Sequence, residues 1–166
     1  MPALGFMQQH VAAVVEGRKP FTMRKPRVGG KGEPKVGSRL YLFENWRTPQ
    51  MRKFAEADCV MRTTLWFDER GVAKIKHEGL DSSAPPIFLL VSNAIMETAA
   101  DDTATRELGL HALAKFDGFD GWPSLWAYHS GQGLEPDGLC KRRLYGFGNV
   151  TPTVDANGLA PSALPL

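Results

Sequence analysis

The stretch GRKPFTMRKPRVGGKGEPKVGSR, residues 17–39, gathers eight lysines and arginines against a single glutamate. Within it, Lys19, Thr22 and Arg24 bring an amine, a hydroxyl and a guanidinium close together in the chain. Attack on a carbonyl or a phosphate can be assembled from these groups: a nucleophile, a base to take its proton, and a cation for the charge that develops. A threonine hydroxyl needs such a base. A lysine serves as one only when burial and neighbouring positive charge favour its neutral amine, and Arg18 and Arg24 supply that charge. Each residue also has an ordinary alternative, as a solvated lysine or a solvent-face strand threonine, because Lys-x-x-Thr is a common pattern. The elements that hold the residues decide between the two.

FTMR alternates at period two, which predicts a short strand with Phe21 and Met23 toward a core and Thr22 and Arg24 toward solvent or a cleft. Pro20 keeps Lys19 extended at the entry to that strand. Before it, GFMQQHVAAVVEG predicts a first helix with Met7, Val11, Val14 and Val15 on one face and Gly17 as its stop. Residues 26–37 hold two prolines and four glycines and predict a mobile basic loop. Further strands are expected over 39–43 and 58–67, with DERG as a turn into a hairpin strand over 72–76. The apolar run IFLLVSNAI, after the turn-rich DSSAPP, is also expected as a strand. DDTATRELGLHALAKF predicts a helix with Asp101 or Asp102 as its N-cap. GWPSLWAYHSG predicts a short one with Pro123 in its first turn and Gly131 beyond its end. GLCKRRLYGF returns to a strand. The order of helix, several short strands, two helices and a closing strand predicts an α+β domain built on a small mixed β-barrel.

Composition narrows the function classes. The chain of 166 residues is 43% hydrophobic and 23% charged, which is globular. Its net charge of +2 conceals an asymmetry: outside residues 17–39 twelve basic residues face seventeen acidic ones. A positive face of this kind suits a polyanionic partner, and the clusters Arg47, Arg52, Lys53 and Lys141, Arg142, Arg143 add to it. No apolar run is long enough to span a bilayer and no signal peptide is apparent, so a cytoplasmic protein without membrane contact is expected. Cys59 and Cys140 match no metal spacing and are expected as reduced, partly buried thiols. His10, His77, His111 and His129 show no ligand spacing, so no metal and no cofactor are expected. Trp122 and Trp126 are expected in helix packing. Trp46, between polar residues and beside Arg47, is the candidate for stacking on a base.

Four segments in order carry a resemblance: GRKPFTMRKPR, VGSRLYLF, NWRTPQMRKFAEADC and FDGFDGWPSLWAYH. Together they resemble the ASCH domain, a family of PUA-like β-barrels, and most closely its bacteriophage and prophage members, over roughly residues 5–147. The chain departs from the family pattern at Gly37-Ser38, where Gly-Asp is usual, and in a longer segment 76–100. The resemblance implies a PUA-like barrel over 1–149, with an N-terminal helix and two helices before the last strand. Residues 150–166 are expected as a weakly ordered tail.

Some ASCH proteins are amidohydrolases that deacetylate N4-acetylcytidine with a lysine, a threonine three residues later and an acidic residue. By resemblance these positions are Lys19, Thr22 and Asp117, the last one methylene shorter than the family's glutamate. The binding residues expected around them are Arg18, Arg24, Lys25, Arg27, Trp46 and Arg47. The partner would be a modified nucleoside, RNA or DNA. Two alternatives stay open at this point: a non-catalytic RNA- or DNA-binding module, and a ribonuclease in which Lys19 and Arg24 stabilise a phosphorane-like transition state.

Overall fold

A computed structural model describes residues 2–153. Six strands form one sheet: β1 (Ala3–Phe6), β2 (Phe21–Arg24), β3 (Arg39–Glu44), β4 (Arg52–Asp68), β5 (Gly71–Leu80) and β6 (Cys140–Pro152). Four helices accompany it: α1 (Val11–Val15), α2 (Ile87–Glu97), α3 (Thr103–Phe116) and α4 (Trp122–Ser130). The strand order is β1-β3-β4-β6-β2, with β5 paired to β4 beyond β3. Only β1 and β3 run parallel. Among the described residues, no helix is long and apolar enough to cross a membrane.

The long strand β4 serves two cores because its pairing with β6 slips between Cys59 and Met61. An irregularity of this kind turns successive side chains to the opposite face. Before it, Ala55, Ala57 and Cys59 pack with β1, α1 and β3 in a cluster that includes Leu4, Phe6, Val11, Leu42 and Phe147. After it, Met61, Leu65 and Phe67 join Phe21, Met23 and Leu144 beneath helices α2 to α4. Both cysteines are buried and free, and desolvation pushes the Cys59 thiol up to about 11.

Mixed α and β structure is what the sequence predicts, but the sheet does not close into a barrel. β1 and β2 form its two ends and share no backbone ladder. β2 is four residues long and flanked by Pro20 and Pro26, which have no N–H to donate to a neighbouring strand. A side chain spans the gap instead: Arg24 Nη2 of β2 donates to the Gly5 carbonyl of β1, and its guanidinium lies 5.1 Å from the Phe6 ring centroid.

Two elements differ from expectation. The segment expected as one N-terminal helix opens with strand β1, continues as a single 3-10 turn at Gln8–His10, and becomes α-helical only at Val11. Four residues, ALGF, are too few for an alternation to stand out, and Met7, expected on a packed face, is 54% exposed. IFLLVSNAI is helix α2, not a strand. Phe88, Val91, Ala94 and Ile95 face inward at helical spacing, while exposed Leu89 and Leu90 fill the outer face and disguise the period as a continuous apolar run. The expected tail begins within β6, and residues 154–166 lie outside the described residues.

Candidate active site

Gly17 ends α1 with φ 77°, in the left-handed region that favours glycine, and reverses the chain. The Lys19 N–H then bonds the Ala13 carbonyl at 2.9 Å, which fixes the lysine at the mouth of β2. In β2, Phe21 and Met23 enter the helix-covered core, and Thr22 and Arg24 take the other face, as the alternation predicts. Across from them α3 ends at Asp117. Between these elements lies a pocket of about 370 Å³ lined by Lys19, Thr22, Arg24, Asp117, His10 and His129 among others. The three residues assigned to catalysis by resemblance, nearly a hundred positions apart in the chain, therefore share one cavity.

Lys19 and Asp117 are 5% and 4% exposed and form a direct ion pair. The same ammonium also donates to the main-chain carbonyl of Asp117. That carbonyl belongs to the end of α3, where unpaired carbonyls and the negative pole of the helix dipole attract a cation. A buried lysine alone would be costly to desolvate; here a carboxylate and a helix terminus offset that cost together.

Thr22 is 5% exposed, and its Oγ1 accepts from Arg24 Nε at 3.2 Å. The donated bond places positive charge where an alkoxide would form and leaves the hydroxyl proton for another acceptor. Burial draws the Arg24 guanidinium below its ordinary value, opposed by Asp117. His10 sits over Gly118, and burial, followed by the charge of Lys19, holds its imidazole below the usual histidine value. Both effects favour the neutral imidazole.

The expected binding residues divide. Arg18 is exposed, paired with Glu16 at 2.7 Å, and lines no part of the pocket. Lys25 stands at its rim. Arg27, Trp46 and Arg47, with Arg24, Lys25 and Lys35, line a second, outer basin of about 990 Å³ that shares Gly5, Arg24, Lys25 and Gln132 with the inner pocket. Trp46 is 37% exposed and lies across Gly5, where a Cβ would meet its side chain at 2.4 Å. Arg47 holds φ 61°, a strained conformation for a residue with a side chain. Glu33, the acid of the opening stretch, is buried and paired with Arg143, so the basin presents mainly positive charge.

The basic loop is anchored over its second half. Besides the Glu33–Arg143 pair, Arg62 Nη1 donates to the Pro34 carbonyl at 3.0 Å and the Gly37 N–H bonds the Cys59 carbonyl at 2.8 Å. The 141–143 cluster is not a surface patch, since Arg142 is 1% exposed. Trp122 and Trp126 pack in the helix-side core as expected. No three His, Cys, Asp or Glu side chains group closely enough to hold a metal among the described residues.

Sequence reasoning passed over His129. It lies in the last turn of α4, 2% exposed, with Nε2 at 4.0 Å from Asp117 Oδ2 and Nδ1 accepting from Arg142 Nε at 3.1 Å. Its partners come from the end of α3 and from β6, so no local spacing marks it.

The ion pair makes a direct thermodynamic prediction. Removing one buried partner leaves an uncompensated charge, so Lys19→Met and Asp117→Leu singly lose about 3–5 kcal/mol in urea unfolding. The double variant loses clearly less than the sum, and additive losses would contradict the pair. No family model matches the chain, nor does any curated protein or solved structure.

Proposed function

We propose that the chain is an ASCH-type hydrolase on an open α+β sheet, acting in the cytoplasm on a modified pyrimidine nucleoside or nucleic acid by amide hydrolysis of an N4-acylated cytidine. The observation that carries this reading is the buried Lys19–Asp117 pair sharing a pocket with the Thr22 hydroxyl. At about 370 Å³ the cavity falls within the range of small-ligand sites.

A substrate filling the pocket expels water, and the balance between ion pair and neutral pair narrows as solvation is lost. Lys19 passes a proton to Asp117 and, as a neutral amine, takes the Thr22 proton. Thr22 Oγ1, its developing alkoxide charge supported by the Arg24 N–H, bonds to the acyl carbon as the carbonyl π electrons move onto the carbonyl oxygen. The tetrahedral adduct collapses with breakage of the C–N4 bond, and Asp117 returns a proton to N4 as the cytidine leaves. Water then cleaves the acyl-threonine ester by the same proton route in reverse, releasing the carboxylic acid. Thr22 and Lys19 are restored.

A second reading, a nucleic-acid-binding module, is favoured by the outer basin, where Lys25, Arg27, Lys35 and Arg47 surround Trp46. The readings are compatible if the basin holds phosphates flanking a base in the inner pocket.

Incubation with N4-acetylcytidine tests the first reading. Wild type releases cytidine and acetate, and Lys19→Ala and Thr22→Val each lower kcat at least about 100-fold. Variants as active as wild type would remove both residues from the reaction. For the second reading, affinity for single-stranded RNA falls with salt at a log–log slope of about −3, as four or five phosphate contacts require. A flat response rules out the basin as a phosphate track.

A further inference from the structure

Arg142 is the largest side chain that is wholly buried, and it has no carboxylate partner among the described residues. Its guanidinium is committed to α4 and the turn that follows. Nη2 donates to the carbonyls of His129 at 2.6 Å and Gly133 at 3.4 Å, Nη1 to that of Lys141 at 2.7 Å, and Nε to His129 Nδ1 at 3.1 Å. A guanidinium has donors and no acceptor. Nδ1 must therefore offer its lone pair, and the imidazole proton resides on Nε2. A doubly protonated ring would lose this bond and place a second cation against a buried arginine.

The Nε2–H fixed in this way donates to no acceptor among the described residues. The ring is held between Phe67, Phe119 and Tyr128 at centroid distances of 6.0, 6.0 and 5.1 Å. It borders the inner pocket. Asp117 Oδ2 is 4.0 Å away, too far for a hydrogen bond but close enough to serve the same ligand edge. Asp117 Oδ1 is occupied by Lys19, so Oδ2 is the oxygen that faces His129. A buried donor left without a partner is destabilising, and a ligand acceptor removes that penalty.

We propose that His129 reads the base in this pocket. Its Nε2–H and Asp117 Oδ2 form a side-by-side donor and acceptor matched to a ring nitrogen acceptor beside an exocyclic N–H, the N3/N4–H edge of cytosine. Uracil presents the reverse order, N3–H beside the O4 acceptor, and would set donor against donor. Arg142 is the positioning residue that keeps the donor on Nε2. The same arrangement brings N4 to Asp117, the group that protonates it as it leaves. The proposal rests on the pocket being a nucleoside site, and its test does not depend on turnover.

In protein carrying 15N-labelled histidine, long-range imidazole spectra at pH 7 show His129 protonated on Nε2 and bare on Nδ1. In Arg142→Met the two tautomers mix. Calorimetry gives cytidine an affinity at least about tenfold above uridine, the scale of one well-made base contact. His129→Leu brings the ratio to about one, and His129→Gln, whose side-chain amide can place an N–H near the same point, restores part of it. A proton on Nδ1 in wild type, binding of neither nucleoside, or an unchanged ratio in a folded His129→Leu would each overturn the proposal. If N4-acetylcytidine is not hydrolysed while the cytidine preference and the tautomer stand, amide hydrolysis falls and base reading survives.

Discussion

A lysine ammonium and an aspartate carboxylate, withdrawn together from water, set the conditions for everything else in the pocket. Lys19 ties the turn after α1 to the end of α3. The tie works because Asp117 contributes both its carboxylate and the terminal carbonyl of a 14-residue helix. Removing either charge would strand the other in a low-dielectric space, so the pair holds the pocket's walls in register. Under the proposed reading the same interaction also takes part in the chemistry.

Arg24 is the second constraint, and it follows from the open sheet. Where a closed barrel would join β1 to β2 by backbone hydrogen bonds, this chain inserts a guanidinium that reaches Gly5 and also bonds Thr22. Two cavities result, one on each side of that side chain. The inner one is small, with a paired acid and base. The outer one is wide, basic and edged by a partly exposed tryptophan. Under the proposed reading the arrangement separates tasks: chemistry where water is excluded, and phosphate attraction where solvated lysines and arginines remain effective.

Much of this was legible in the sequence because it is local. The alternation in FTMR places Phe21 and Met23 in the core and leaves Thr22 and Arg24 for the cleft. Gly17 and Gly131 close the helices they were expected to close, and Pro123 lies in the first turn of α4. The failures also have local causes. β1 is too short for its period to be read, and the outer leucines of α2 hide its inward face. The expected barrel did not form because the sheet ends at β1 and β2 without a ladder between them, and the prolines beside β2 oppose one. His129 and Arg142 were illegible for a different reason. Their significance is a contact between α4 and β6, and an arginine within a basic run gives no sign that it is buried.

The central claim is that the inner pocket holds a cytidine-type base with its N4 substituent against Thr22. A crystal structure of the Thr22→Ala protein with N4-acetylcytidine tests it most directly. The account predicts the nucleoside in the inner pocket, with N4 within hydrogen-bonding distance of Asp117 Oδ2 and the acetyl carbon beside residue 22. A nucleoside bound only in the outer basin, or an inner pocket that stays empty at saturating ligand, would contradict it.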